Sequence, residues 1–328
     1  MPFPAVSYLI TLFGTVPGRT GACRTGLIRG TIRAMTVKSS RSISLEASLW
    51  WLLLAAVGGC FAPVLLACAL LWTEGGGLEN RAVALVAAGY LFVCGRATLL
   101  EASASPFFQG IGLACLMGGL LLVQLPALSV QSLAFCFALA GLALLRWGDA
   151  ALRRLAKPFV IVTLAMLTSG LADSWLPRYT PVVLWLQQLV AGLAAYALWM
   201  AGFAVEWQQT VIRLGDTGGV DVNAACSGVR SLLEIGVLAT AAIFTLSRRS
   251  RRDNGFYLAL CAALVLALNA GRVLLLAVAS VYWGRPLFDA LHEGWGAQLY
   301  SGGISAATVL FTCWYFRWNP FDTPKAGL

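Results

Sequence analysis

Residues 224–252 read AACSGVRSLLEIGVLATAAIFTLSRRSRR: chemistry-bearing side chains at one end, an apolar run through the middle, and four arginines within the last five positions. The 224–246 run is long enough to cross a bilayer core of roughly 30 Å as a helix at 1.5 Å per residue. A second apolar run follows at 256–282, so the pair reads as two membrane helices joined by an arginine-rich turn at one surface. At the other surface the first helix presents Cys226, Ser227, Arg230, Ser231 and Glu234.

The rest of the chain agrees with a membrane setting. Of its 328 residues, 59% are hydrophobic and 11% charged, and the mean hydropathy is +0.79, outside the range of soluble domains. The fold class is an all-α polytopic membrane protein with about eight transmembrane helices, near 48–72, 82–99, 107–127, 130–146, 158–174, 224–246, 256–282 and 296–316. A net charge of +9 would fit nucleic acid in a soluble protein, but here the basic residues cluster in the N-terminal tail and in short loops. Topology explains them, and no nucleic-acid partner is expected. The 146–157 loop, the 247–254 loop and the C-terminal end are then cytoplasmic, together with a basic, disordered tail over 1–45 whose true start is Met1 or Met35.

One stretch upsets the parity of crossings. Residues 181–204 are long enough to span, yet a ninth crossing would put the tail and the 247–254 loop on opposite sides. The stretch is therefore expected to be interfacial or re-entrant, in keeping with Gln187 and Gln188 at its middle; the alternative is that 158–174, the shortest span, does not cross. The following residues, 205–222, alternate apolar and polar around TVIRL and read as a short extended hairpin on the outer face. The membrane domain spans 46–317, its chemistry-bearing part 150–316, and 318–328 form a short cytoplasmic tail.

Nine cysteines show no CxxC spacing, and seven lie within apolar runs as small hydrophobes. Cys226 differs, being placed in the first turn of an expected helix, where free N–H groups and the dipole favour thiolate. Arg230 and Glu234 follow at i, i+4 spacing as an intrahelical ion pair, while Ser227 and Ser231 suit bonds to backbone carbonyls. Asn269 and Arg272 share a face of the next helix, with Arg272 roughly 24 Å from Phe256, at the depth of Cys226. The single histidine, His292, lies in the loop beyond that helix, on the same side. Thiol, imidazole and guanidinium are the parts acyl transfer needs: nucleophile, proton carrier and a fixed positive charge. No metal or other cofactor is expected, since one histidine and one suitably placed cysteine fall short of a zinc ligand set.

The motifs ACSGVRSL (Ala225–Leu232), NAGR (Asn269–Arg272) and HEGWG (His292–Gly296), in that order, resemble the exosortase/archaeosortase family of membrane cysteine transpeptidases. The likeness covers about 150–316, and Gly202–Val205 resembles the family's GIPV-like segment. Ala224 stands where the family carries glutamate and Glu293 where it carries aspartate, which marks a divergent subfamily. The resemblance implies a multi-pass inner-membrane enzyme, its site on the extracytoplasmic side, that cleaves the C-terminal sorting signal of exported proteins: a short motif such as Pro-Glu-Pro, a membrane helix and a basic cluster. It links the enzyme to protein sorting and to exopolysaccharide and envelope assembly. It also implies an acyl-thioester on Cys226, with Arg272 and His292 sharing proton transfer and oxyanion stabilisation. The sequence leaves open which of the two donates the proton and whether water or an amine accepts the acyl group. A polytopic transporter, using Arg230, Glu234 and Arg272 as a substrate or ion path, and a non-catalytic scaffold for envelope assembly are the alternatives.

Overall fold

The computed structural model describes residues 40–74, 78–100, 102–170, 181–215 and 218–317. The tail as far as residue 39, the end of the expected 158–174 span and the 318–328 tail lie outside the described residues. Ten α-helices occur among those described: α1 Ser40–Glu74, α2 Leu78–Leu100, α3 Pro106–Leu122, α4 Leu128–Trp147, α5 Asp149–Gly170, α6 Pro181–Met200, α7 Val229–Leu246, α8 Arg251–Val278, α9 Arg285–His292 and α10 Trp295–Phe316. Among the described residues, six helical segments are long and apolar enough to cross a membrane, including α6, α7 and α8. The chain divides into two units at Pro63 within α1, and residues 64–318 form the unit that carries the site.

Contacts along this unit fix the helix directions. α2 and α7 run in parallel: Arg81 pairs with Glu234, and Ala84 and Ala88 share a core with Val237 and Ala241. α5 runs against both, because Ile161 and Ala165 join that core while Lys157, near the start of α5, lies 5.9 Å from the ring of Phe244, near the end of α7. Arg249 donates to the Tyr315 carbonyl at 2.8 Å and lies over the Tyr315 ring. The basic residues of α5, the 248–252 arginines and the end of α10 therefore share one end of the bundle. Cys226, in the turn that precedes α7, lies at the other.

Two expected boundaries move. The basic 146–157 segment is no loop: α4 runs through Trp147, only Gly148 interrupts, and α5 begins at Asp149 and continues through Pro158. A proline in a helix forfeits one bond, to the carbonyl four residues back, and here the packed flank of α5 outweighs that loss. α1 also begins six residues inside the expected tail, at Ser40. The helices α3 and α4 meet backbone to backbone through small residues: a Cβ on Gly112 would come within 2.8 Å of the Gly141 carbonyl oxygen, the kind of seam that membrane helices use for close approach.

The stretch expected to be interfacial or re-entrant folds as one unbroken helix, α6, of 20 residues. Val183 and Leu186 near its start pack with Val229 and Leu266, whereas Val190 to Leu198 pack with Val273 and Ala277. α6 thus runs parallel to α8. Its C-terminus, like that of α5, lies at the Cys226 end, so the chain between Gly170 and Met200 starts and finishes at one end of the bundle.

After α6 comes a three-stranded antiparallel sheet, β1 Val205–Gln208, β2 Val211–Leu214 and β3 Gly219–Asp221, in the order β1-β2-β3. Register pairs Val205 with Leu214 and Val211 with Asp221. Period-two alternation buries Ile212 and Leu214 and leaves Arg213 exposed. The buried face packs on α6 and α8, in the same cluster as Val222 and Cys226, so the sheet anchors the segment that delivers the cysteine.

Candidate active site

Cys226 does not occupy the first turn of a long helix. Ala224–Cys226 form a separate 3-10 turn, capped by Asn223, whose side-chain oxygen accepts the Cys226 N–H at 3.0 Å. Ser227 closes the turn by donating its hydroxyl to the Ala224 carbonyl at 2.6 Å. Gly228 then adopts φ +80°, and α7 starts only at Val229. This left-handed residue is why one continuous helix cannot run through the motif. A side chain there would also come within 2.9 Å of Asn269 Nδ2.

Asn269 is buried and bolts the turn to α8: its Nδ2 donates to the Cys226 carbonyl at 2.7 Å, and Tyr300 of α10 donates to its Oδ1 at 3.3 Å. The thiol, 5% exposed as a residue, lies 3.4 Å from Nε2 of His292. His292 ends α9, where Phe288 one turn earlier stacks on its ring at 5.5 Å. On the far side Nδ1 lies 3.4 Å from a carboxylate oxygen of Glu293. Arg272 donates to the His292 carbonyl at 2.9 Å and its guanidinium lies over the Tyr300 ring at 5.1 Å. Three sequence motifs, on α8, at the end of α9 and before α7, thus meet at one place.

The electrostatics of the thiol depart from expectation. Cys226 lies outside the spans, yet burial pushes its thiol above the ordinary range, and the nearby positive charge of Arg272 offsets only part of that. Burial therefore favours the protonated thiol over the thiolate, α7 begins only at Val229, and an imidazole nitrogen lies at hand to take the proton.

Arg230 and Glu234 approach to 3.5 Å as expected. The larger partner was not visible in the sequence: Arg81 of α2, 1% exposed, lies 3.3 Å from the same carboxylate oxygen and stacks on Trp72 at 5.6 Å. This buried charge cluster ties α7 to α2 just below the cysteine turn. Ser231 makes no hydrogen bond among the described residues, so its expected carbonyl contact is not formed. Tyr300, Phe288, Asn223 and Arg81 are the site residues that sequence reasoning missed; none carries a local signal beyond its residue type.

These features define a polytopic membrane protein with a Cys-His-Arg constellation at one end of its helices. The family description "transmembrane exosortase (Exosortase_EpsH)" matches residues 72–311, and the chain belongs to this family. Exosortases are membrane cysteine proteases or transpeptidases that act on exported proteins. No curated protein and no solved structure matches the chain.

Proposed function

We propose that this exosortase cleaves the C-terminal sorting signal of exported proteins through an acyl-thioester on Cys226, at the extracytoplasmic face of the inner membrane. The observation that carries the reading is the 3.4 Å approach of the Cys226 sulfur to His292 Nε2, which is hydrogen-bond reach for the larger sulfur atom and sets a base beside the nucleophile's proton. His292 accepts the thiol proton as the sulfur adds to the scissile carbonyl carbon. The guanidinium of Arg272 faces the negative charge that develops on the carbonyl oxygen. His292 returns the proton to the departing amine as the C–N bond breaks, leaving the acyl group on sulfur.

An incoming water or amine then loses a proton to His292, attacks the thioester carbonyl, and releases the thiolate, which is reprotonated. Arginine serves poorly as the titrating member because its guanidinium stays charged at any working pH. The substrate tail is a short motif such as Pro-Glu-Pro, one membrane helix and a basic cluster, and the activity serves protein sorting and envelope assembly. Placing the 248–252 arginines in the cytoplasm puts the cysteine end on the far side of the membrane.

The test is a Cys226→Ala chain expressed with a reporter protein ending in such a tail. The variant remains in the membrane fraction and unprocessed reporter accumulates; processing at the normal rate would refute the reading.

A further inference from the structure

Helices α8 and α10 close against each other at the arginine end, where Tyr257 meets Thr312 at 2.6 Å and stacks on Phe311. Toward the cysteine end they frame a groove of about 340 Å³ whose lining includes Ala267, Gly271, Leu275, Leu291, Tyr300 and Arg272. The α8 wall is a stripe of small residues at i, i+4 spacing: Ala263, Ala267 and Gly271 are all exposed, a Cβ on Gly271 would meet nothing within 4 Å, and Leu275 is 48% exposed. Small-xxx-small stripes let a second helix approach closely in a membrane. The groove also holds a donor in need of an acceptor, for Arg272 Nε is buried without a hydrogen-bond partner.

We propose that this groove is the docking site for the membrane helix of the substrate, entering laterally from the bilayer between α8 and α10. The inference rests on the sorting-signal reading above and names where that substrate binds. Arg272 argues for this occupant because it joins the groove to the site: it lines the groove and also holds His292. A helix lying on the stripe, with its N-terminal end toward Arg272, brings the peptide just before it to Cys226. The apolar walls below receive side chains of the helix at bilayer depth.

The experiment places a photo-crosslinking amino acid at Leu275 or, as a lipid-facing control, at Leu121, which is 70% exposed on α3. The probe is a reporter ending in a Pro-Glu-Pro motif, a 20-residue apolar helix and an arginine cluster, incubated in membranes. Leu275 crosslinks to the reporter helix and Leu121 does not. In parallel, Ala263→Leu and Ala267→Leu lower reporter cleavage at least about tenfold, while cleavage of a short peptide with the motif and no membrane helix is unchanged. Crosslinking from Leu275 no stronger than from Leu121, or reporter cleavage by both groove variants at the wild-type rate, overturns the proposal. If a variant loses both activities, crosslinking alone decides. A reporter that crosslinks at Leu275 yet is never cleaved defeats the proteolytic reading and leaves the groove assignment standing.

Discussion

Asn269 Nδ2 donates to the backbone carbonyl of Cys226 at 2.7 Å, across the contact between α8 and the turn that precedes α7. The bond holds the nucleophile's backbone rather than its sulfur, and Gly228 makes room for it. Replacing Asn269 by Ala strands a buried carbonyl, at about 1–3 kcal/mol, and frees the turn to shift. Reporter cleavage should fall about tenfold or more, with the protein still inserted in the membrane. Cleavage by Asn269→Ala at the normal rate would show that the turn holds its place unaided.

Arg81 and Glu234 form a pair whose side chains are 1% and 6% exposed, whereas Arg285 and Asp289 form one whose side chains are 85% and 57% exposed. Removing one partner of a buried pair strands the other charge. Arg81→Ala should lower stability by about 3 kcal/mol, toward the lower end for buried pairs because Arg230 still attends Glu234. Arg285→Ala should lower it by under about 1 kcal/mol. Thermal unfolding of the two variants in detergent compares them directly, and equal losses would contradict the burial argument.

The Cys226 thiol is raised by burial and drawn back in part by Arg272. Its reaction with iodoacetamide, followed by mass spectrometry of the Cys226 peptide, should therefore have its midpoint at a higher pH than that of an ordinary thiol. Arg272→Ala removes the one influence that lowers the thiol, so alkylation at a fixed pH slows and the profile moves to higher pH; Arg272→Lys restores much of the wild-type rate. A profile that moves downward would contradict the assignment.

Glu293 reaches His292 Nδ1 from solvent, with its side chain 83% exposed. A carboxylate so placed orients the ring and fixes its tautomer, but water screens it. Glu293→Gln should lower cleavage no more than about fivefold, Glu293→Asp should recover most of that, and His292→Ala should abolish activity. Equal losses in Glu293→Gln and His292→Ala would make the exposed carboxylate a full partner.

Much of this was legible in the sequence because it is local or repeated. The apolar lengths of α7 and α8, the arginines between them and the order of the Cys226, Arg272 and His292 motifs placed the site at the end opposite the basic cluster. The parity of those clusters showed that alternation breaks somewhere, but it misplaced the break: 181–204, expected to be interfacial or re-entrant, is the unbroken 20-residue helix α6, long and apolar enough to cross. Contacts between distant positions were not legible. Arg81 and Glu234 are each plain charged residues in apolar runs, and nothing in either run names the other. Tyr300 over Arg272 is equally silent, being one aromatic among many in membrane helices. The break at Gly228 was not legible because the length of the 224–246 run is compatible with one helix, while a single left-handed residue separates the cysteine turn from α7. The start of α5 was not legible because the basic residues of 146–157 read as a loop, whereas the helix begins at Asp149 and runs on through Pro158.

The central claim is that Cys226 carries the acyl group. Mass spectrometry of the Cys226 peptide after brief incubation of membranes with the reporter tests it most directly. The account predicts an adduct with the mass of the reporter's new C-terminal acyl segment, released by hydroxylamine as a thioester is and missing from Cys226→Ala. Reporter cleavage with no adduct on Cys226, or continued cleavage by Cys226→Ala, would contradict it.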